Sequence, residues 1–480
     1  MQIYEFSFIF LTLRFKKENM SYKYRIITGL CLWAGASLLP AMAQTMQYRF
    51  RVELTDKAPT TYTLDKPDAY LSQRAIARRA TRGIAIDSTD LPVATAYLKL
   101  LEADGGKVVC TGKWTNTAVL ESNDEQAAER FARHPFVKTV KKVWTSSDSI
   151  PPRNSARKKE VTNHARKQED YYGVAGDQLR THHGDSLHLA GFKGQGMVVA
   201  VIDAGFYNVD AIKMFRKTHI AGTRDFVNPR SDIYAESNHG LKVLSCLAAN
   251  EPGIMVGTAP EATYWLLRSE DNDSEQPVEE DYWEAAVEFA DSVGTDVINT
   301  SLGYFAFDHE ADNYRYRDLN GKVSLMSRAA SHIAPKGMLL VCSAGNSGSG
   351  TWKKITPPAD AEAVITVGAI DEQGINTIFS SVGNTADGRI KPDVMALGMR
   401  VNVAGTDGGT SFANGTSFSA PIFCGLATCL WQACPQLNVY ELMEVIHHAS
   451  DRHAWPDNIY GYGVTDIWKA YQSAKARNKQ

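Results

Sequence analysis

Asn414-Gly415-Thr416-Ser417-Phe418-Ser419-Ala420-Pro421 sets a serine in a turn of small residues, directly before an apolar run that reads as a helix over 417–433. Gly415 lets another backbone approach closely, and the helix start brings unpaired N–H groups and the positive end of its dipole beside Ser417. A nucleophile suits that place, because the hydroxyl can attack a carbonyl while the Ser417 N–H helps hold the oxyanion. The plain alternative is a helix cap, which Gly-Thr-Ser serves equally well. The rest of the chain decides between them.

At 480 residues, with 44% hydrophobic and 22% charged residues, the chain has the composition of a soluble globular protein of two folded units plus processing segments. A formal net charge of -3 offers no basic surplus for a nucleic acid or an anionic membrane. Near the start, Lys23 and Arg25 precede an apolar run over 26–39 and then Ala41-Met42-Ala43 before Gln44. That order predicts a signal peptide at 20–43, cleaved after Ala43, with 1–19 as an upstream extension ahead of the true start at Met20. The run is shorter than the roughly 20 residues of a membrane span, so no stable span is expected once the signal is removed. The product is exported, extracellular or periplasmic.

Of seven cysteines, Cys31 leaves with the signal and Cys110 lies in the first folded unit, so five remain, an odd number that cannot pair completely. Cys246, Cys342, Cys424, Cys429 and Cys434 all sit in apolar surroundings, and none has metal-site spacing. Neither a zinc site nor a disulfide framework is expected.

Periodicity predicts a strand at 48–54, a helix at 70–79, a strand at 107–120, a helix at 124–133 and a strand at 137–143, a small α+β unit over 44–145. In the stretch 146–170, Pro151-Pro152 leads into a run rich in Arg and Lys with almost nothing apolar, which reads as an exposed linker and cleavage zone. After it, over 171–475, short β-branched strands at 197–202, 264–267, 297–299, 338–342 and 364–367 alternate with helices at 239–249, 278–292, 323–334 and 417–433. This alternation predicts an α/β fold, a doubly wound, mostly parallel sheet whose active groups lie at the carboxyl ends of its strands.

Asp203 ends the first of these strands, where a carboxylate can orient a histidine and stabilise its charged form. His239 opens a helix and is followed by Gly240, which leaves room for a neighbouring strand or substrate; histidine is the natural general base near neutral pH. Asn346 follows the strand Val341-Cys342-Ser343 and Ala344-Gly345, and its NH2 can complement the Ser417 N–H at an oxyanion. Thr300-Ser301-Leu302-Gly303 reads as an exposed small-residue edge onto which an extended peptide adds its backbone. Taken singly, these are a turn aspartate, a packed histidine, a turn asparagine and a tight strand exit.

Together, and in the order Asp203, His239, Ser417, they make the chain resemble a subtilisin-family serine endopeptidase over about 171–469. Val256-Gly257-Thr258-Ala259-Pro260, Phe379-Ser380-Ser381-Val382-Gly383, Lys391-Pro392-Asp393-Val394 and Gly461-Tyr462-Gly463 extend the likeness. The resemblance implies that Asp203 orients, His239 acts as base and acid, Ser417 attacks and Asn346 holds the oxyanion. Ser301, Leu302, Gly303, Ser343, Ala344 and Gly345 would line the substrate site, the substrate being a protein or peptide. The first folded unit resembles a subtilase propeptide, which templates folding and inhibits the cleft until it is cut away between Trp144 and Tyr171.

No organic cofactor is required by this chemistry. Structural calcium is common in the family, but no loop here is regular enough to assign its ligands. The acidic run from Glu270 to Glu275 reads as a solvated loop. The chain departs from the family pattern at Ala204, which replaces a hydroxyl after the aspartate, at Leu241, where threonine is usual, and at Leu397, in place of proline. Two rivals remain: an inactive homologue used for binding, and an α/β-hydrolase esterase. The second requires Gly-x-Ser-x-Gly, and here Ser419 stands where the second glycine belongs.

Overall fold

Tyr48–Leu54 (β1) alternates so that Phe50, Val52 and Leu54 turn inward, the period of a half-buried strand. In this computed structural model, which describes residues 46–146 and 167–477, β1 lies in a four-stranded sheet with Lys107–Gly112 (β2), Thr117–Ser122 (β3) and Val137–Thr145 (β4). The order is β2-β3-β1-β4, antiparallel throughout. The single strand expected at 107–120 is therefore a hairpin, whose turn holds Asn116 in the left-handed region at φ 56°. Asparagine tolerates that conformation, so a turn without glycine escaped notice. The helix expected at 70–79 runs over Gln73–Thr81 (α1), capped by the Ser72 hydroxyl. Thr95–Ala103 (α2) was not anticipated, and the helix expected at 124–133 shortens to Ala127–Phe131 (α3). The expected signal peptide and upstream extension, and nearly all of the linker, fall outside the described residues.

The remainder is an α/β assembly. Val198–Asp203 (β5), His219–Asp225 (β6), Thr263–Arg268 (β7), Val297–Thr300 (β8), Leu339–Ser343 (β9), Val364–Ile370 (β10) and Val394–Leu397 (β11) form a seven-stranded sheet in the order β11-β10-β9-β8-β5-β7-β6. Every neighbouring pair is parallel. β6 and β11 were missed by the periodicity, since the edge strand β6 alternates exposed Arg and His with Gly. β5, β9 and β10 are buried at every position, as strands covered on both faces must be. Val199, Val201 and Val341 pack into one core, with the helices His239–Ala248 (α4) and Thr416–Ala433 (α7). Ala200, Ile202 and Leu340 pack into the other, against Val278–Val293 (α5) and Leu325–Ala330 (α6).

From β5 the chain winds to β6 and β7 on one side, then crosses to β8 on the other. The switch point thus lies between β5 and β8, and an α/β sheet opens a crevice at the carboxyl ends of such strands. Asp203 and Thr300 mark those ends.

The four-stranded sheet covers α5 through charge. Arg51 grips Asp281 with two bonds of 2.6 Å, and Arg78, Arg79 and Lys113 converge on Asp291 at 2.5, 2.8 and 3.0 Å. The β2–β3 turn donates backbone N–H groups to two buried carboxylates, Lys113 and Trp114 to Glu288 at 2.8 and 2.7 Å and Thr115 to Glu284 at 3.2 Å. Lys336 returns the contact by pairing with Asp90 at 2.9 Å.

Candidate active site

β5 delivers Asp203 to the crevice fully buried, and α4 begins at His239 beside it. The Nδ1 of His239 lies 2.8 Å from Asp203 Oδ1, and the same oxygen accepts the Ala204 N–H at 2.8 Å. Among the described residues, Asp203 Oδ2 has no hydrogen-bond partner. The His239 side chain keeps 33% of its surface exposed while the aspartate keeps none, so the pair is sealed on the acid side and open on the base side. Burial works against a charge on His239, but the Asp203 carboxylate overcomes it and holds the ring above its ordinary value.

Gly240 decides how close these elements come. A Cβ on it would lie 2.3 Å from the Gly205 carbonyl and 3.0 Å from Asp203 Cβ, so the room left by this glycine is taken by the turn after Asp203. Leu241 and Ala204 are both buried, and Leu241 belongs to the core between α4 and its neighbours.

α7 starts at Thr416 behind Gly415, whose φ of 147° belongs to glycine, and this puts Ser417 in the first turn with 8% exposure. Phe418 carries the helix against the His239 ring, their centroids 5.8 Å apart. The Ser417 hydroxyl donates to the Ser301 carbonyl at 3.4 Å, and Ser301 Oγ donates back to the Ser417 carbonyl at 2.9 Å. Asn346 stands across from this turn. Its Oδ1 accepts from Thr416 N–H at 2.9 Å and from Thr416 Oγ1 at 3.0 Å, which leaves the amide NH2 as the end free to donate outward.

The six residues expected to line a substrate site come together because β8 and β9 are parallel neighbours, with Thr300 opposite Cys342. Ser301-Leu302-Gly303 and Ser343-Ala344-Gly345 leave those strands side by side. The edge expected to be exposed is largely covered: Ser301 and Leu302 are each 6% exposed, because Ser301 is turned under the Ser417 helix. Ser343 and Ala344 are also buried. Thr356 was missed from sequence. Its Oγ1 would sit 2.3 Å from a Cβ on Gly303 and 3.3 Å from one on Gly345, so it fills the floor between the two segments. A threonine before Pro357-Pro358 carries no chemical signal in a sequence.

The acidic run is only partly the solvated loop expected. Asn272 and Asp273 are exposed, but Glu270 is half-buried, its Oε2 3.5 Å from Tyr304 Oη. Burial, then the nearby Asp203 and Glu275, push Glu270 up to about 7. Among the described residues, no three His, Cys, Asp or Glu side chains are grouped to hold a metal ion, so the calcium common in the family finds no such cluster here. Cys246, Cys342, Cys424, Cys429 and Cys434 are buried free thiols. No helix among the described residues is long and apolar enough to cross a membrane.

Residues 194–463 match the Subtilase family, and residues 49–162 match the peptidase S8 propeptide domain of Bacteroidota. The serine protease AprX of Bacillus subtilis (strain 168) is 27% identical over 326 residues, spanning 57% of this chain and 65% of that protein. Subtilisin NAT of Bacillus subtilis subsp. natto is 27% identical over 377 residues, spanning 78% of this chain and 85% of its own. Among solved structures, a Ser-to-Ala mutant of the protease domain of PatA aligns with 60% of this chain and 98% of its own, at 23% identity and a TM-score of 0.48. The chain belongs to the subtilase family of serine-type endopeptidases, with a propeptide domain ahead of the peptidase domain.

Proposed function

We propose that this protein is an exported zymogen whose mature domain hydrolyses peptide bonds through an acyl-enzyme on Ser417. The observation that carries the reading is the 2.8 Å bond between His239 Nδ1 and the buried Asp203, with the Ser417 turn packed against the same imidazole through Phe418. Asp203 fixes the ring so that Nε2 faces the cleft. A χ1 rotation takes the Ser417 hydroxyl from the Ser301 carbonyl to that nitrogen, which removes its proton as the oxygen attacks the scissile carbonyl. His239 then passes the proton to the leaving amine, and water releases the acyl group by the same steps reversed.

The tetrahedral oxyanion is held by the Ser417 N–H, at the positive end of α7, and by the Asn346 amide, whose other end is tied to Thr416. An extended peptide lies between the 301–303 and 343–345 segments, its side chain meeting Thr356 between Gly303 and Gly345. The first sheet acts as the protein's own inhibitor, with the domain order 44–145, a charged linker at 146–170 and a peptidase domain at 171–475. The signal at 20–43 places the product outside the cytoplasm, in a periplasm or beyond the cell.

The test compares the intact protein with Ser417→Ala on a mixed peptide library and with a serine-directed phosphonyl fluoride. Wild type should process itself, take one label at Ser417 and cleave peptides, and the variant should remain full length and unlabelled. Equal cleavage by both would end this reading.

A further inference from the structure

Arg268 ends β7, the strand paired with β5, and its side chain is 5% exposed. A buried arginine is costly unless every face of its guanidinium is used. Here the fork joins four separate segments. Nε donates to the Ala204 carbonyl at 3.1 Å, in the turn that follows Asp203. Nη1 donates to Asp225 Oδ2 at 2.9 Å, at the end of β6. Nη2 faces Glu236 at 3.6 Å, in the segment leading to His239, and Asp271 at 4.0 Å, in its own following loop. The main chain repeats the link, because Arg268 is the register partner of Asp203 and the Ser269 N–H donates to the Asp203 carbonyl at 3.1 Å.

Two facts make this grip matter to the reacting groups. Ala204 offers no hydroxyl, and among the described residues Asp203 takes side-chain hydrogen bonds at Oδ1 alone, from the Ala204 N–H and His239 Nδ1. The carboxylate's orientation therefore depends on the Ala204 turn. That turn is pressed against Glu236 and Ser237, where a Cβ on Gly205 would meet Glu236 Cβ at 2.6 Å, and Ser237 Oγ accepts the His239 N–H at 3.3 Å.

We infer that Arg268 is a positioning residue for the peptidase reaction, holding the Asp203 turn and the approach to His239 in one frame from beneath. It touches no substrate and acts through Ala204 and Glu236. This rests on the proposed roles of Asp203, His239 and Ser417.

The test uses the self-processed protein, wild type against Arg268→Met and Arg268→Lys, with active sites counted by phosphonyl fluoride. Per counted site, Arg268→Met should lose kcat by roughly 10²-fold with little change in KM, the scale of a small misplacement of reacting groups. The acid limb of its pH profile should also move to lower pH, because His239 keeps its burial while its bond to Asp203 loosens. The charged groups facing His239, namely Asp203, Glu270 and Lys242, are unchanged in the variant. Arg268→Lys restores the charge but not the fork, and should fall between. A merely structural role lowers the count of active sites and leaves kcat per site and the limb at wild-type values; that result in both variants overturns the inference. If Arg268→Met yields no folded protein, Arg268→Lys decides on the same two readouts. Failure of wild type to label at Ser417 would instead sink the catalytic assignment, and the positioning role with it.

Discussion

Gly240 stands so close to Gly205 that a methyl group on it would come within 2.3 Å of the Gly205 carbonyl. The helix that carries the imidazole and the turn that carries the carboxylate thus meet backbone to backbone. Gly240→Ala must push them apart, and overpacking of this kind costs about 1–3 kcal/mol in stability. Activity should fall by more than the folded fraction, since the His239–Asp203 bond stretches first; thermal unfolding beside kcat per labelled site will separate the two effects.

The raised pKa of His239 sets the direction of the pH profile. In the proposed mechanism the ring must be neutral to accept the Ser417 proton, so activity should rise with pH through a midpoint above the ordinary histidine value of about 6.5. Asp203→Asn removes the attraction that opposes burial, and its midpoint should lie lower. The loss of rate should reach the order of 10⁴-fold, as expected when the imidazole loses the partner that orients it. A pH series of kcat/KM on both proteins measures both.

Asn346 is held by its carbonyl end and left free at its amide, a geometry for donating to charge that appears only during reaction. Asn346→Ala should lower kcat by roughly 10²–10³-fold with KM nearly unchanged. A loss expressed in KM alone would mean the amide binds ground-state substrate instead.

The buried network around Asp291 ties the two sheets together. Burial works against its charge, but Lys113, Arg78 and Arg79 draw its carboxyl down to about 2, so it stays ionised in any ordinary buffer. Asp291→Asn leaves the buried Arg78 and Arg79 and the half-buried Lys113 short of a partner, and should destabilise the zymogen by about 3–5 kcal/mol. Denaturant unfolding of the Ser417→Ala zymogen, with and without the substitution, gives the number.

Glu284 and Glu288 behave in the opposite sense. Burial raises both carboxyls, repulsion from Glu288 adds to it at Glu284, and Lys113 only partly offsets it at Glu288, so the pair holds a proton in the zymogen that it gives up once the first sheet leaves and water reaches it. The attachment of that sheet is then strongest below the ordinary carboxylate range near 4.3 and weakens as pH rises toward about 7, where Glu288 titrates. Digestion of the propeptide by an added protease, followed on the Ser417→Ala zymogen, should quicken over that interval, and Glu288→Gln should flatten the dependence. Faster digestion on acidification would contradict it.

Local pattern was legible where one residue type answers to one physical demand. Continuous β-branched runs announced β5, β9 and β10, because strands covered on both faces have no polar side to show. The edge strand β6, with one face at solvent and a glycine within it, showed no such run. The acids of α5 carried no local sign of burial, since charged helical residues commonly face solvent, yet Glu284, Glu288 and Asp291 are buried. Their partners, from Thr115 to Arg78, stand 169 to 213 residues away in the first folded unit, and no local window of sequence contains both.

By itself the sequence determined the parts of the proposed site and their order: an aspartate ending a strand, a histidine opening a helix, a serine behind a glycine turn. Each depends on short-range chemistry, on periodicity and on the few residues a given backbone conformation accepts. Only the tertiary structure decided that Asp203 would meet His239 at 2.8 Å, that Thr356 would floor the gap between two strand exits, and that Arg268 would tie the turn after Asp203 to the end of β6. Those relations depend on where a crossover places strands far apart in the chain, and on which charges burial forces into one another's company.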